Sequence, residues 1–120
     1  MELTAEQSRA FMLGAMGVLR ESLGIDTTLL KAQIIFEVAN HPQIPQFELE
    51  SRVDAAKSTV SRNVLDLTRQ TSRKEPGPNL VVQLEDPEYR KRNLLELTTK
   101  GQSLMTKMVA EGNKAMSKIK

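Results

Sequence analysis

The run Lys57-Ser58-Thr59-Val60-Ser61-Arg62 sets short hydroxyls and cations at helical spacing. On an α-helix, Ser58, Thr59, Arg62, Asp66 and Arg69 share one face, opposite an apolar stripe of Val60, Val64 and Leu67. Such a face has a definite chemistry. Small hydroxyl side chains let a helix approach base edges in the DNA major groove, and an arginine one turn on can donate two hydrogen bonds to guanine. Free backbone N–H groups at the helix start also attract a phosphate. A second block, Glu85-Asp86-Pro87-Glu88-Tyr89-Arg90-Lys91-Arg92, ends in three successive cations suited to phosphate contact or a narrow minor groove. Taken singly, each block has a plainer description, as an amphipathic surface helix and as a solvated charged turn.

Other chemistries lack their residues. With no Cys, disulfides, thiol catalysis and thiolate metal sites are excluded. His41 is the single His and sits beside Pro42 at a helix end, a structural position that cannot supply a metal ligand set. No Gly-rich phosphate loop and no catalytic constellation can be assembled, so the expectation is a protein that is not an enzyme, with no cofactor and no metal. Apolar runs are only a few residues long and the amino-terminal residues are acidic, which argues against a membrane span and a signal peptide and for a cytoplasmic setting.

At 120 residues, with 39% hydrophobic and 27% charged residues, the expectation is one globular domain. Its net charge of +2 hides a segregation. Residues 1–56 hold 4 Lys/Arg against 8 Asp/Glu, and residues 57–74 hold 5 against 1. Residues 75–89 hold 4 acids and no base, then Arg90 to Arg92 add three cations and residues 93–120 hold 5 bases against 2 acids. Two short basic blocks on a nearly neutral protein form a local footprint for an anionic partner.

The elements that must carry these blocks are legible. Thr4 and Gln7 form a capping box for a helix over 4–23, ended by Gly24. Its apolar positions make one stripe of Met12, Met16, Leu19 and Leu23 and another of Phe11, Ala15 and Val18, with Gly14 and Gly17 open to a close backbone. A second helix over 28–40 carries Leu30, Ile34, Ile35 and Val38 and stops before Pro42. Pro45 and Gln46 open a short helix through Val53; after a break at 54–57 another runs to about Gln70. Glu75-Pro76-Gly77-Pro78 is loop. Leu80 to Leu84 and Asn93 to Leu97 read as a hairpin with a long charged tip. Thr98 caps a last helix to about Ile119, bearing Leu104, Met105, Met108, Val109 and Met116, with Gly112 as a candidate bend.

Two helices joined by a short break, then a hairpin, make a winged helix-turn-helix, mainly α with a small β-hairpin. From Leu49 to Leu104 the chain resembles the MarR family of winged-helix regulators. Lys57 to Arg62 resembles its recognition-helix start, Asp86-Pro87-Glu88 with Arg90 to Arg92 its wing, and Leu97-Thr98-Thr99-Lys100-Gly101 its Leu-Thr-x-x-Gly entry to the last helices. The departures are specific. Asp54 and Ala56 stand where the family has Gly and Ser, Tyr89-x-Lys91 replaces an Asp-x-Arg in the wing, and the Pro-Gly-Pro loop lengthens the connection between them. A divergent member of the phage or plasmid kind fits this pattern.

The resemblance implies a homodimer joined by helices at 1–24 and 98–120. A DNA-binding lobe would occupy 28–97, with its helix-turn-helix at about 46–70 and its wing at about 80–97. It implies a transcriptional regulator, a repressor that binds an inverted repeat in double-stranded DNA. Lys57, Ser58, Thr59, Ser61, Arg62, Arg69, Tyr89, Arg90, Lys91 and Arg92 would be the contact residues. The alternative is a winged-helix protein-interaction module that does not read DNA, against which the basic tip speaks. A small-molecule effector is a further possible partner, with the methionines as flexible pocket lining.

Overall fold

In the computed structural model, which describes residues 2–89 and 92–118, five helices accompany a small antiparallel sheet. The order is α1 (Ala5–Leu23), α2 (Leu29–Asn40), β1 (Ile44–Pro45), α3 (Gln46–Val53), α4 (Lys57–Leu65), β2 (Val81–Glu85), β3 (Asn93–Leu97) and α5 (Thr99–Lys118). The chain divides into two compact units, residues 28–102 and the terminal residues before 28 and after 102.

In the first unit the sheet order is β1-β3-β2. β2 and β3 form the expected hairpin, with Val81 opposite Leu97 and Glu85 opposite Asn93. The third strand was not expected. Ile44 and Pro45 pair with Leu95 and Leu94, an edge position where proline's missing N–H costs no ladder bond. This pairing ties the start of α3 directly to the hairpin. The core is Ile34, Ile35 and Val38 from α2, Ile44, Leu49 and Val53, Val60 and Val64 from α4, and Leu80, Val81, Leu95 and Leu97 around the sheet. The apolar spacing of α2, α3 and α4 therefore points inward as the sequence implies.

Caps set the helix starts. Thr28 Oγ1 accepts the Lys31 N–H at 3.3 Å, and Thr98 Oγ1 accepts the Gly101 N–H at 3.1 Å while its hydroxyl donates to the Asn79 carbonyl at 2.6 Å. Gly101 has a steric reason to be glycine: a Cβ there would run into the Leu80 carbonyl. The Leu-Thr-x-x-Gly motif thus seats the first turn of α5 on the strand entry.

In the second unit α1 and α5 run antiparallel. Gln7 Nε2 donates to the Met116 carbonyl at 3.4 Å, Gly112 faces the Phe11 ring, and the Glu111 side chain occupies the space left by Gly14. Gly14 therefore admits a side chain rather than a second backbone, and Gly17 faces open space. The capping box forms in full, Thr4 Oγ1 accepting the Gln7 N–H and Gln7 Oε1 accepting the Thr4 N–H, both at 3.0 Å. Gly24 closes α1 at φ 104, a conformation that disfavours other residues. Of the two apolar stripes on α1, Ala15, Val18 and Leu19 are buried, whereas Met12 and Met16 are exposed, as is Leu13 outside both stripes. Helix α5 runs through Gly112 without interruption, and Ile119 lies outside the described residues.

Candidate nucleic-acid interface

The site is built around the step from α3 to α4. Asp54 takes the left-handed conformation (φ 51, ψ 53) and its N–H returns to the Glu50 and Ser51 carbonyls. This is the position where the resembled family carries Gly; aspartate tolerates the conformation better than most residues. Ala56, where a capping Ser would stand, is the N-cap of α4 and makes no side-chain hydrogen bond. The first-turn amides of α4 therefore receive no cap from the Ala56 side chain. Lys57, Ser58 and Arg62 are exposed, and Thr59 and Ser61 are half-buried. The Asn63 amide donates to the Thr59 carbonyl at 2.8 Å, holding Asn63 along the helix.

The far end of this helix corrects the sequence reading. α4 stops at Leu65 instead of reaching Gln70. Leu67 and Thr68 close tight i→i+3 bonds to Val64 and Leu65, both 3.0 Å, and the Leu67 carbonyl turns to accept the Leu80 and Val81 N–H groups. Leu67 remains fully buried, so the apolar stripe continues in burial but not in helix. Asp66 consequently leaves the outward face. Its Oδ1 accepts the Ser72 N–H (2.9 Å) and hydroxyl (2.7 Å), and its Oδ2 lies 3.6 Å from the Lys31 ammonium on α2. Partial burial alone would raise the Asp66 pKa; the Ser72 bonds and Lys31 outweigh it and hold the carboxyl below the ordinary value of 3.8. Arg69 is exposed on the turn beyond the helix, and its carbonyl accepts the Gly77 N–H at 2.9 Å.

At the wing, Arg90 and Lys91 lie outside the described residues. The loop is closed by its own backbone. The Asp86 N–H donates to the Arg92 carbonyl at 3.1 Å, the Arg92 N–H donates to the Tyr89 carbonyl at 2.9 Å, and Asp86 Oδ1 accepts the Glu88 N–H at 2.9 Å. The Arg92 guanidinium stacks against two rings, 4.7 Å from the Phe47 centroid and 4.4 Å from that of Tyr89. Both distances are within the range of a cation–π contact.

Lys57, Ser61 and Arg92 thus line one groove of about 350 Å³, floored by α3 through Phe47 and Glu50. Arg69 lies instead beside a different groove, with Thr68, Gln70 and Val82. Sequence reasoning missed Phe47. Its signal was available: it is one of only four aromatic residues in the chain, placed off the Leu49/Val53 stripe of α3. Gln46 was missed as well; it faces the hairpin, accepting from the Gln83 amide at 3.3 Å. Among the described residues no group of acids and His is placed to hold a metal, and no helix is long and apolar enough to cross a membrane.

By sequence the chain matches no family model and no curated protein. By fold it is similar to several transcriptional regulators. A variant of S. aureus MepR bound to an oligodeoxyribonucleotide superposes with TM-score 0.70 at 18% identity, over 98% of this chain and 83% of that one. MarR gives TM-score 0.63 at 19% identity, over 91% and 74%. PcaV from Streptomyces coelicolor, in complex with its natural ligand, gives 0.61 at 18% identity, over 96% and 80%. The fold of this chain is the MarR-type winged helix.

Proposed function

We propose that the protein is a sequence-specific double-stranded DNA-binding transcriptional regulator of the MarR type, a repressor that binds an inverted repeat as a homodimer. The observation that carries this reading is the outward start of α4. Lys57, Ser58 and Arg62 are exposed beside an N-cap that makes no side-chain bond, on a helix whose other face is locked into the core. A helix so presented, followed by a basic hairpin, suits a major groove flanked by phosphates. MepR, of the same fold, is bound to DNA in its structure.

Two-fold symmetry comes from the other unit. Met12, Leu13 and Met16 on α1 and Val109 on α5 are exposed apolar side chains, a surface that a second copy would cover. A small-molecule effector belongs to the proposal through the likeness to PcaV alone.

Selection of bound duplexes from a random pool tests the reading. The expected product is an inverted repeat with half-site centres about 10 bp apart. A pool that never enriches would overturn it and favour a protein-interaction module. Sedimentation equilibrium giving only a monomer would remove the dimer and the repeat together.

A further inference from the structure

We infer that Arg92 is a positioning residue of the wing, clamped between Phe47 and Tyr89 so that the hairpin tip is held to α3, rather than one more cation spent on phosphate. The inference rests on the proposed DNA-binding reading for its function, but the clamp itself is a property of the free protein.

Two of the four aromatic residues are committed to this one guanidinium. Both rings are 55% exposed, so neither contributes to the core. Phe47 sits in the first turn of α3, off the Leu49/Val53 face that packs inward. Off that face, the Phe47 ring remains open on one side and is stacked by the Arg92 guanidinium on another. The planar guanidinium can stack on both rings at once and still present its N–H edges; an ammonium at the same place cannot stack. The Arg92 backbone meanwhile closes the tip, through the bonds to Tyr89 and Asp86. The result is a strut from wing to α3. Because α3 also leads through Asp54 into α4, the wing and the candidate recognition helix share one reference element. In the resembled family an Asp-x-Arg pair occupies the tip, and here Tyr89-x-Lys91 stands there; the stack supplies a brace without that pair.

A built-in reporter makes this testable. The chain has no Trp and one Tyr, Tyr89, so its intrinsic fluorescence reads the wing tip. Three variants are compared with wild type: Arg92→Lys, which keeps the charge, Arg92→Ala, and Phe47→Ala, which keeps Arg92. Acrylamide quenching of Tyr89 is measured without DNA. Binding is measured by anisotropy on the duplex that wild type selects from a random pool, across a salt series. The expected result is that all three variants increase Tyr89 quenching and weaken binding roughly fivefold to tenfold. The double variant Phe47→Ala/Arg92→Ala should then be little worse than either single one. Arg92→Ala should leave the log–log salt slope within about half a unit of wild type, since no phosphate contact is lost.

Unchanged quenching in Arg92→Lys and Phe47→Ala would overturn the clamp. Freed Tyr89 with wild-type affinity would overturn the positioning role, as would a slope reduced by about one unit in Arg92→Ala with Phe47→Ala unaffected. If wild type selects no duplex, the proposed function fails, and the DNA-free quenching still decides whether the clamp exists.

Discussion

Two stretches of this chain have similar basic character and different structural fates. At the start of α4, Lys57 and Arg62 project from a helix whose core side is fully buried, and they are exposed. At the wing, Arg92 is half-buried, its guanidinium stacked on Phe47 and Tyr89 and its backbone tied into the tip. The lesson is that formal charge measures neither availability nor role. An exposed cation on a rigid helix is available to a partner; a cation stacked on two rings is already used. If the proposed function holds, the first region reads bases while the second keeps the wing in register, and the two are separable by mutation.

The largest effect is expected at the free end of the comparison. Arg62→Ala should lower affinity for the selected duplex by about 1–3 kcal/mol and relax preference at one symmetric base position. Binding to scrambled DNA at the same salt should change far less, because that term comes from phosphate contacts. Anisotropy on the two duplexes measures the split. Equal losses on both would make Arg62 a backbone contact and erase the distinction drawn between helix and wing.

The next effect sharpens the wing side. Arg90 and Lys91 are neighbours of Arg92 in sequence, and we propose that they, not Arg92, carry the wing's phosphate contacts. The Arg90→Ala/Lys91→Ala double variant should reduce the magnitude of the salt slope by roughly two units, one for each lost contact. A slope equal to wild type would leave the wing without any backbone contact.

How far these roles could be read beforehand depends on the range of the interactions that create them. Caps are local, so Thr4 with Gln7, Gly24 and Thr98 all announced themselves within a few residues. The inward stripes of α2 and α4 followed from helical spacing for the same reason. Failures came where a distant partner decides. Leu67 continues the periodicity of α4, yet its carbonyl is claimed by Leu80 and Val81, and that ends the helix. Ile44-Pro45 has no strand signature of its own and pairs only because Leu94 and Leu95 lie beside it. Phe47 and Arg92 meet from opposite ends of the lobe's sequence, so no window of neighbouring residues contains the clamp. The outward face at Ser58 and Arg62 was legible; the fate of Asp66 and Arg69 was not, because it turns on where α4 stops.

A smaller effect tests that stopping point. Asp66 anchors the turn after α4 through Ser72 and Lys31, and its carboxyl is held below the ordinary value of 3.8. A group with a depressed folded-state pKa stabilises above its unfolded value and loses that contribution as pH falls through the folded one. Asp66→Ala should therefore cost about 1 kcal/mol at neutral pH, and the gap to wild type should narrow as pH falls below the ordinary carboxylate range. Urea unfolding at a series of pH values measures it. A gap that stays constant into acid would mean that the carboxylate's charge is not what anchors the turn. DNA affinity should hardly change, because Asp66 does not belong to the outward face.

The smallest effect is expected in the turn that links the helix pair. Asp54 adopts φ 51 and ψ 53, where a side chain normally crowds the backbone, and it closes α3 through its backbone N–H to Glu50 and Ser51. The left-handed conformation costs most L-residues roughly 1–2 kcal/mol, and aspartate somewhat less. Glycine removes that crowding but adds freedom to the unfolded chain, which takes back part of the gain. The net expectation for Asp54→Gly is a rise in stability of up to about 1 kcal/mol, read as a higher urea midpoint with unchanged slope. Asp54→Ala should move the midpoint the other way, since alanine keeps the Cβ and has no polar group to ease it. Affinity for the selected duplex should stay at the wild-type level in Asp54→Gly, because the backbone path into Ala56 and Lys57 is kept. A lower midpoint for Asp54→Gly would show that the Asp54 carboxylate contributes to the turn more than its backbone strain costs. A tighter turn that also altered duplex affinity would show that α4 is aimed by this residue, and the reading region would then depend on its hinge as the wing is proposed to depend on its clamp.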